Sequence, residues 1–141
     1  MFARPRSDLS SASLYQTVQV DTGVASASPH QLVAMLFDGF IAACSQARGA
    51  MLSGNVALKG RALGRAVRIV EEGLRAGLNL RDGGALAREL NELYGYITMR
   101  LTHANLHNDE AAIAECQGLV QPLLRAGGRA VALERLTISE R

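Results

Sequence analysis

The feature that most restricts the fold of this chain is a helix start at Ser28-Pro29, which is followed by a wide apolar face. Ser28 suits the N-cap and Pro29 suits the first helical position, while Gln31, three residues after the cap, completes a capping box. Beyond this start, apolar residues recur at helical spacing in two adjacent rows. The rows contain Leu32, Met35, Leu36, Phe40, Ala43 and Ala47, and Val33, Phe37, Ile41 and Cys44. So wide a face predicts a helix that packs against two neighbours.

The rest of the chain continues the helical periodicity, which predicts helices at about 29–53, 56–80, 84–106 and 109–126. A hydrophobic content of 48% with only 4% aromatic residues favours helix packing over sheets. Asn108 is the expected N-cap of the fourth helix, and Pro122 is expected to kink that helix or end it early. Because the turns are too short to return the chain along the bundle, the predicted fold is an all-α, antiparallel, up-down-up-down four-helix bundle.

The predicted bundle, residues 28–127, has a tail on each side. Residues 1–27 form an N-terminal tail or latch segment, and residues 128–141 form a short C-terminal tail whose pattern fits helix and strand equally. Around Leu14, Tyr15 and Val18, apolar and polar residues alternate in a way that is too apolar for a segment exposed to water. We expect these side chains either to pin the tail to the bundle or to occupy a groove meant for another chain.

Charge and cysteine content exclude several classes of function. Fifteen basic and thirteen acidic residues give a net charge of +2, which predicts neither a nucleic acid nor a membrane surface as partner. Two cysteines far apart indicate neither a disulfide framework nor a zinc site. The sequence shows no apolar run long enough to span a bilayer and no secretory signal, so we expect no membrane insertion and a cytoplasmic protein.

No arrangement of residues in the sequence predicts catalysis. The sequence pairs no serine or cysteine with a histidine and a carboxylate, and it has no phosphate-binding loop. His103 and His107 are four residues apart, with Asp109 and Glu110 just beyond, as in half of a metal site. Histidines in the last turn of a helix are, however, explained by the negative end of its dipole. We therefore expect a protein that is not an enzyme and holds no metal or cofactor.

Two groups of residues on the predicted helices are candidates for recognition. Four arginines fall on one face of the second helix, where they suit either an acidic partner or nucleic acid. These arginines are Arg61, Arg65, Arg68 and Arg75. Glu71 and Glu72 lie at ion-pair spacing from them, which favours a solvated face. In the third helix, Tyr94 and Tyr96 flank the apolar seam and mark either a packing edge or a recognition surface.

In these residues the chain resembles the flagellin export chaperone family, FliS. Four stretches match the pattern of that family in order and spacing, and together they cover about residues 13–125. They are Tyr15-Gln16 with Val18 and Val20; Ala27-Ser28-Pro29-His30-Gln31-Leu32 with Met35-Leu36-Phe37-Asp38-Gly39; Lys59-Gly60 with Ala66, Ile69, Gly73-Leu74 and Gly77-Leu78; and Gly83-Gly84 with Leu93-Tyr94-Gly95-Tyr96, Arg100-Leu101, Ala104-Asn105-Leu106 and Asn108-Asp109.

The resemblance implies a cytosolic, non-enzymatic chaperone whose client is flagellin. Such a chaperone binds the disordered C-terminal segment of flagellin, prevents premature polymerisation and delivers the client to the export apparatus. Other flagellar regulators and export apparatus components are further candidate partners. Two alternatives are a regulatory protein that sequesters another flagellar factor, such as an anti-sigma factor, and, less favoured, a nucleic-acid-binding bundle that uses the arginines of the second helix.

The resemblance also suggests which residues contact the client, either in grooves of the bundle or through the N-terminal latch. These candidates are Leu14, Tyr15, Val18, Val33, Phe37, Ile41, Tyr94, Tyr96 and Arg100. At three positions the chain departs from the family pattern. It has Gly95 where the family usually has Asp, Met99 where the family has Arg, and Gly127 where the family has Trp.

Overall fold

The structure, a computed structural model, describes residues 28–125. These residues form four helices: α1 (Pro29–Ser53), α2 (Val56–Arg75), α3 (Gly84–His107) and α4 (Glu110–Arg125). Within α2, the winding is α-helical over Val56–Arg68 and π-helical over Ile69–Arg75, which we call the π segment. The part of the chain that the structure describes contains no strand, and the predicted all-α class is confirmed. The predicted tails, 1–27 and 128–141, lie outside the described residues.

α1 begins and ends at the residues that the sequence predicts. The backbone amide of Gln31 donates to Ser28 Oγ at 3.1 Å, and the amide of Ser28 donates to Gln31 Oε1 at 2.8 Å, which completes the capping box. At the other end, Gly54 adopts a left-handed conformation with φ of 74°, and the amide of Asn55 donates to Ala50 O at 2.9 Å. Both ends of α1 are therefore fixed by local hydrogen bonds.

Hydrogen bonds between the first and last helices show that these two helices run antiparallel. Between α1 and α4, Gln117 Nε2 donates to Ile41 O at 3.1 Å, whereas Arg48 Nε donates to Glu110 Oε2 at 2.6 Å. Residue numbers therefore rise along one helix as they fall along the other.

The same reversal relates α2 to α3. Lys59 Nζ donates to Asn105 O at 3.0 Å, and Arg75 Nε donates to Asn91 Oδ1 at 2.8 Å. With the short connections at 54–55, 76–83 and 108–109, these pairs give the up-down-up-down arrangement.

One core fills the space between the helices, and it consists mainly of aliphatic and small side chains. Its buried members are Val33, Leu36, Phe37, Phe40, Ala43, Cys44, Ala47, Ala62, Leu63, Ala66, Ile69, Val70, Leu74, Leu90, Tyr94, Ile97, Leu101, Ala104, Ala112, Ile113, Cys116 and Val120. Each fully buried aliphatic or Phe side chain contributes roughly 1.5–3 kcal/mol of transfer free energy. Burial raises the pKa of both Cys44 and Cys116 to about 12, so both thiols stay protonated at neutral pH.

The end of α2 differs from the prediction. The helix stops at Arg75, whereas the sequence predicts helix to residue 80. In the last turn the amide of Ala76 donates to Glu71 O at 3.0 Å, five residues back, which is the π-helical bond. Ile69, the first residue of the π segment, is buried in the core. Leu78, which matches the family pattern and falls inside the predicted helix, lies half-buried in the connection after α2.

The start of α4 also differs from the prediction. Asn108, expected to cap α4, instead ends α3 in a left-handed conformation with φ of 51°, and its amide donates to Ala104 O. The cap of α4 is Asp109, whose Oδ1 accepts from the amide of Ala112 at 3.2 Å. Further along, α4 continues through Pro122 to Arg125, so the expected early end does not occur.

Candidate functional site

The structure places three of the predicted contact residues inside the core. Val33 is 1% exposed, and Phe37 and Tyr94 are fully buried. Ile41 is half-buried, and its carbonyl accepts a hydrogen bond from α4. Side chains so deeply buried shape the bundle and offer no surface to a partner. Leu14, Tyr15 and Val18 lie outside the described residues.

Tyr96 and Arg100, the other two candidates, meet at the edge between α3 and α4. Tyr96 Oη donates to Glu115 Oε2, and Arg100 Nε lies 2.9 Å from Glu115 Oε1. The hydrogen bond from Tyr96, followed by that from Arg100, lowers the pKa of the Glu115 carboxyl. The same bond raises the pKa of Tyr96, because the phenol donates its proton to a carboxylate. Both candidates are thus held in fixed orientations at the surface.

Three large apolar side chains of α3 face solvent, and we call them the α3 stripe: Tyr96, Met99 and Leu106. They are 38%, 58% and 75% exposed, respectively. At about 100° per residue they lie within a sector of about 80°, opposite the buried seam that contains Leu90 and Ile97. An apolar row that the bundle leaves uncovered is typical of a protein-binding surface. The sequence signal for this row is that Met99 and Leu106 are out of phase with the seam.

Two further exposed apolar residues lie at the end of the bundle where α1 turns into α2. Leu52 and Val56, on either side of that turn, are 83% and 72% exposed. Leu106 belongs to the same end, since Lys59 of α2 donates to the carbonyl of its neighbour Asn105. Leu106 of the α3 stripe and this second apolar region therefore lie at the same end of the bundle, and sequence reasoning missed the region because it reads as helix ends and a turn.

A polar cluster joins the π segment to α3. The Arg75 guanidinium donates to Asn91 Oδ1 at 2.8 Å and to Glu71 Oε2 at 2.9 Å, and Thr98 Oγ1 donates to the same carboxylate at 2.7 Å. A Cβ atom added at Gly95 would lie 3.0 Å from Arg75 Nη2, so this guanidinium packs closely over the glycine. Any larger residue at this position, including the Asp that is usual in the family pattern, requires Arg75 to move.

Because Arg75 points toward α3, the basic face of α2 is shorter than the sequence predicts. Arg61, Arg65 and Arg68 are exposed, as expected, whereas Arg75 turns toward α3. Arg68 Nε lies 4.0 Å from Glu72 Oε1, which is the ion-pair spacing that favours a solvated face. This face carries no aromatic side chain for stacking on bases.

The two histidines at the end of α3 do not assemble a metal site. Their ring centroids are 4.5 Å apart, and His103 Nε2 lies 3.2 Å from Asp109 Oδ2. Among residues 28–125, no three His, Cys, Asp or Glu side chains converge as metal ligands. Within the same residues, no helix is both long and apolar enough to cross a bilayer.

Comparison with known proteins decides the family. A family model described as "Flagellar protein FliS" matches residues 11–129. The chain belongs to the FliS family. It is 47% identical over 112 residues to the flagellar secretion chaperone FliS of Salmonella typhimurium, a match that spans 79% of this chain and 83% of that protein. The corresponding FliS proteins of Escherichia coli and Vibrio cholerae are 39% and 36% identical over 112 residues, each spanning 79% of this chain and 82% of the relative.

Membership in the FliS family confirms the class of protein that the sequence predicts. The relatives are named flagellar secretion chaperones, and this FliS-family chain is accordingly a chaperone rather than an enzyme. The four-helix bundle described above is the scaffold on which any client surface of this chain has to be built.

Proposed function

We propose that this chain is a cytosolic secretion chaperone that binds the disordered C-terminal segment of flagellin, prevents its premature polymerisation and aids its export. Support comes from the family, since the relatives described above are named for flagellar secretion. A client that is disordered when free suits a bundle with uncovered apolar surface, because it gains its fold from the surface that it covers.

The observation that carries the proposal is the α3 stripe together with the exposed apolar end. Tyr96, Met99 and Leu106 are exposed on one face of a regular helix, and Leu52 and Val56 are exposed at the end of the bundle to which Leu106 belongs. An amphipathic helix of the client fits such a row through its own apolar residues at three and four residue steps. Burial of these side chains supplies the free energy that offsets the ordering of the client.

Polar groups beside the stripe supply orientation. Tyr96 and Arg100 share Glu115, so a client helix at this edge meets one apolar ring and one fixed cation.

Ile41 and the N-terminal residues Leu14, Tyr15 and Val18 belong to the same proposal, the latter three as a latch that competes with the client. Deletion of residues 1–20 then accelerates client binding, whereas a fall in affinity would assign those residues to direct client contact.

Isothermal titration calorimetry with full-length flagellin tests the proposed client. We expect one-to-one binding with a clearly negative heat-capacity change, because coupled folding buries apolar surface. Flagellin without its C-terminal segment should not bind. Undiminished binding of that truncated flagellin would refute the proposed client segment, and loss of binding in a few hundred millimolar salt would favour the exposed arginines of α2 instead.

A double variant, Met99→Ser with Leu106→Ser, tests the proposed surface. We expect a loss of affinity of at least tenfold, because two large apolar contacts of the client are removed. Leu80→Ser is the matched control, since Leu80 is also an exposed apolar residue but lies in the turn between α2 and α3. Equal affinities for the double variant and the wild type would exclude the α3 stripe as a client surface.

A further inference from the structure

A cavity lies at the end of the bundle, beside the exposed apolar residues described above. Its volume is about 270 Å³, and its wall combines the end of α1, the first turn of α2 and the connection from α3 to α4. The lining residues that matter here are Leu52, Val56, Lys59, Asn108 and Glu110. A second cavity of similar volume, about 270 Å³, adjoins it, shares Leu52 and Glu110, and is also lined by Arg48.

The unusual group in this wall is Lys59. It is 7% exposed, and among the side chains described within residues 28–125 it is the only charged one that is buried. Its ammonium donates to Asn105 O at 3.0 Å and to Asn108 Oδ1 at 2.6 Å, and both acceptors are neutral. In the described part of the chain, no carboxylate forms an ion pair with it. A buried charge without a counter-ion is costly, and a lysine has a third proton to donate.

The backbone adds positive potential on the same side of the cavity. Val56 and Ala57 open α2, and within residues 28–125 their amides have no hydrogen-bond acceptor, since Asn55 Oδ1 accepts from the next amide, that of Leu58. The first turn of α2 contains no acidic residue. The first turn of α2 thus brings the positive end of a helix dipole to the wall that Lys59 lines, while the last turn of α3, which accepts from Lys59, brings the negative end of its own dipole to the same wall.

The balance of charges identifies the chemistry of the occupant. Two cations, Lys59 and Arg48, face the two cavities with a single carboxylate, Glu110, which is paired with Arg48 at 2.6 Å. The rim is apolar, since Leu52 and Val56 are both largely exposed. The site thus suits one additional carboxylate that is attached to an apolar group. A cavity of about 270 Å³ is smaller than the 300–1,000 Å³ of typical ligand sites, so it admits the end of a chain rather than a length of chain.

We propose that the cavity at Lys59 binds the free C-terminal carboxylate of the client chain. The carboxylate accepts from the Lys59 ammonium, and the apolar side chain of the last client residues packs on Leu52 and Val56. This inference rests on the proposed function and extends it, because it fixes where the client ends and hence the direction in which the client lies. From this end the client runs along the α3 stripe, which starts at Leu106.

Two synthetic peptides test the inference on the unmodified protein. Both carry the C-terminal segment of flagellin, one as the free acid and the other with a C-terminal amide. We expect the acid to bind at least tenfold more tightly, because a charge-assisted hydrogen bond to a buried ammonium is lost in the amide. Equal affinities would overturn the inference and leave the proposed function intact. If neither the peptides nor full-length flagellin bind, both proposals fail together.

Two variants locate the effect. Lys59→Met should abolish the difference in affinity between acid and amide, whereas Arg61→Met, which removes an exposed cation from the same helix, should preserve it.

Glu110→Gln removes the competing carboxylate and frees Arg48, so it should strengthen binding of the acid and leave binding of the amide unchanged. Its matched control is Glu89→Gln, an exposed acidic residue near the start of α3. If Glu110→Gln weakened the acid, or if Lys59→Met kept the difference in a folded variant, the assignment to this cavity would be wrong.

Discussion

α1 and α2 pack against each other, yet α1 is one regular helix of 25 residues, whereas α2 changes to π-helical winding at Ile69. The ends of α1 are set by hydrogen bonds within a few residues of each end. The last part of α2 is set by distant partners, since Arg75 bonds to Asn91 of α3 and Ile69 packs near Gly39 of α1. A helix whose two ends are both fixed by local caps keeps its regular winding, whereas a helix whose last turn bonds to its neighbours adapts its winding to them.

The largest expected effect concerns the core face of α1. Phe40→Ala should lower the free energy of unfolding by about 3–5 kcal/mol, because it opens a cavity beneath a rigid helix. Val67→Ala, at a half-buried position of α2, should cost less than about 1.5 kcal/mol. Urea unfolding of both variants measures the difference. A larger loss for Val67→Ala would mean that α2, not α1, dominates the core.

The cap of α1 should have the next largest effect. Ser28→Ala removes the acceptor for the Gln31 amide and should cost about 1 kcal/mol. Gln46→Ala, at an exposed position inside the same helix, should change the stability by less than about 0.5 kcal/mol. Thermal unfolding followed by circular dichroism suffices for both. If the two variants are equally stable, tertiary contacts rather than the local cap define the start of α1.

A similar but smaller loss is expected when the π segment loses its distant partner. Arg75→Met removes the bonds to Asn91 and Glu71, and since the Arg75 side chain is 34% exposed, we expect a cost of at most about 1 kcal/mol. Hydrogen exchange should accelerate in residues 69–75 and stay unchanged in α1. Arg65→Met is the control, because Arg65 is exposed on the α-helical part of α2. Unchanged exchange in the π segment would show that its winding does not depend on Arg75.

The smallest effect is a gain. A Cβ atom added at Gly64 meets no other atom within 4 Å, so Gly64→Ala should stabilise α2 by about 0.5–1 kcal/mol through helix propensity alone. At Gly95 the same change forces Arg75 to move, and the gain should be smaller or absent. A full gain at Gly95 would indicate that the close packing of Arg75 over this glycine has no energetic weight.

The sequence predicted those parts of the fold that depend on neighbouring residues. Ser28, Pro29 and Gly54 locate both ends of α1, because each acts on backbone groups within a few residues of itself. The end of α2 could not be predicted in this way, since its winding depends on contacts with α1 and α3. Asn108 suits both a left-handed helix end and an N-cap, and the structure uses it for the former, with Lys59 bonded to its side chain.

The candidate site was predicted only in part for a similar reason. Tyr94 and Tyr96 are two residues apart, so on a helix they point in nearly opposite directions and only one can face solvent. Tyr94 is the ring that the apolar seam of α3 buries. The sequence alone predicts both tyrosines as contact candidates. The cavity at Lys59 combines side chains from three separate parts of the chain, and no spacing in the sequence brings these together.

The buried thiols of Cys44 and Cys116 have a consequence for following this protein in solution. Both are fully covered and protonated in the native bundle, so an alkylating reagent meets a reactive thiolate only when the core packing around Cys44 or Cys116 opens. The rate of thiol modification therefore measures how often the bundle opens. The two cysteines thus report opening of the bundle without an added label, and their modification rate would show whether a bound client keeps the bundle closed.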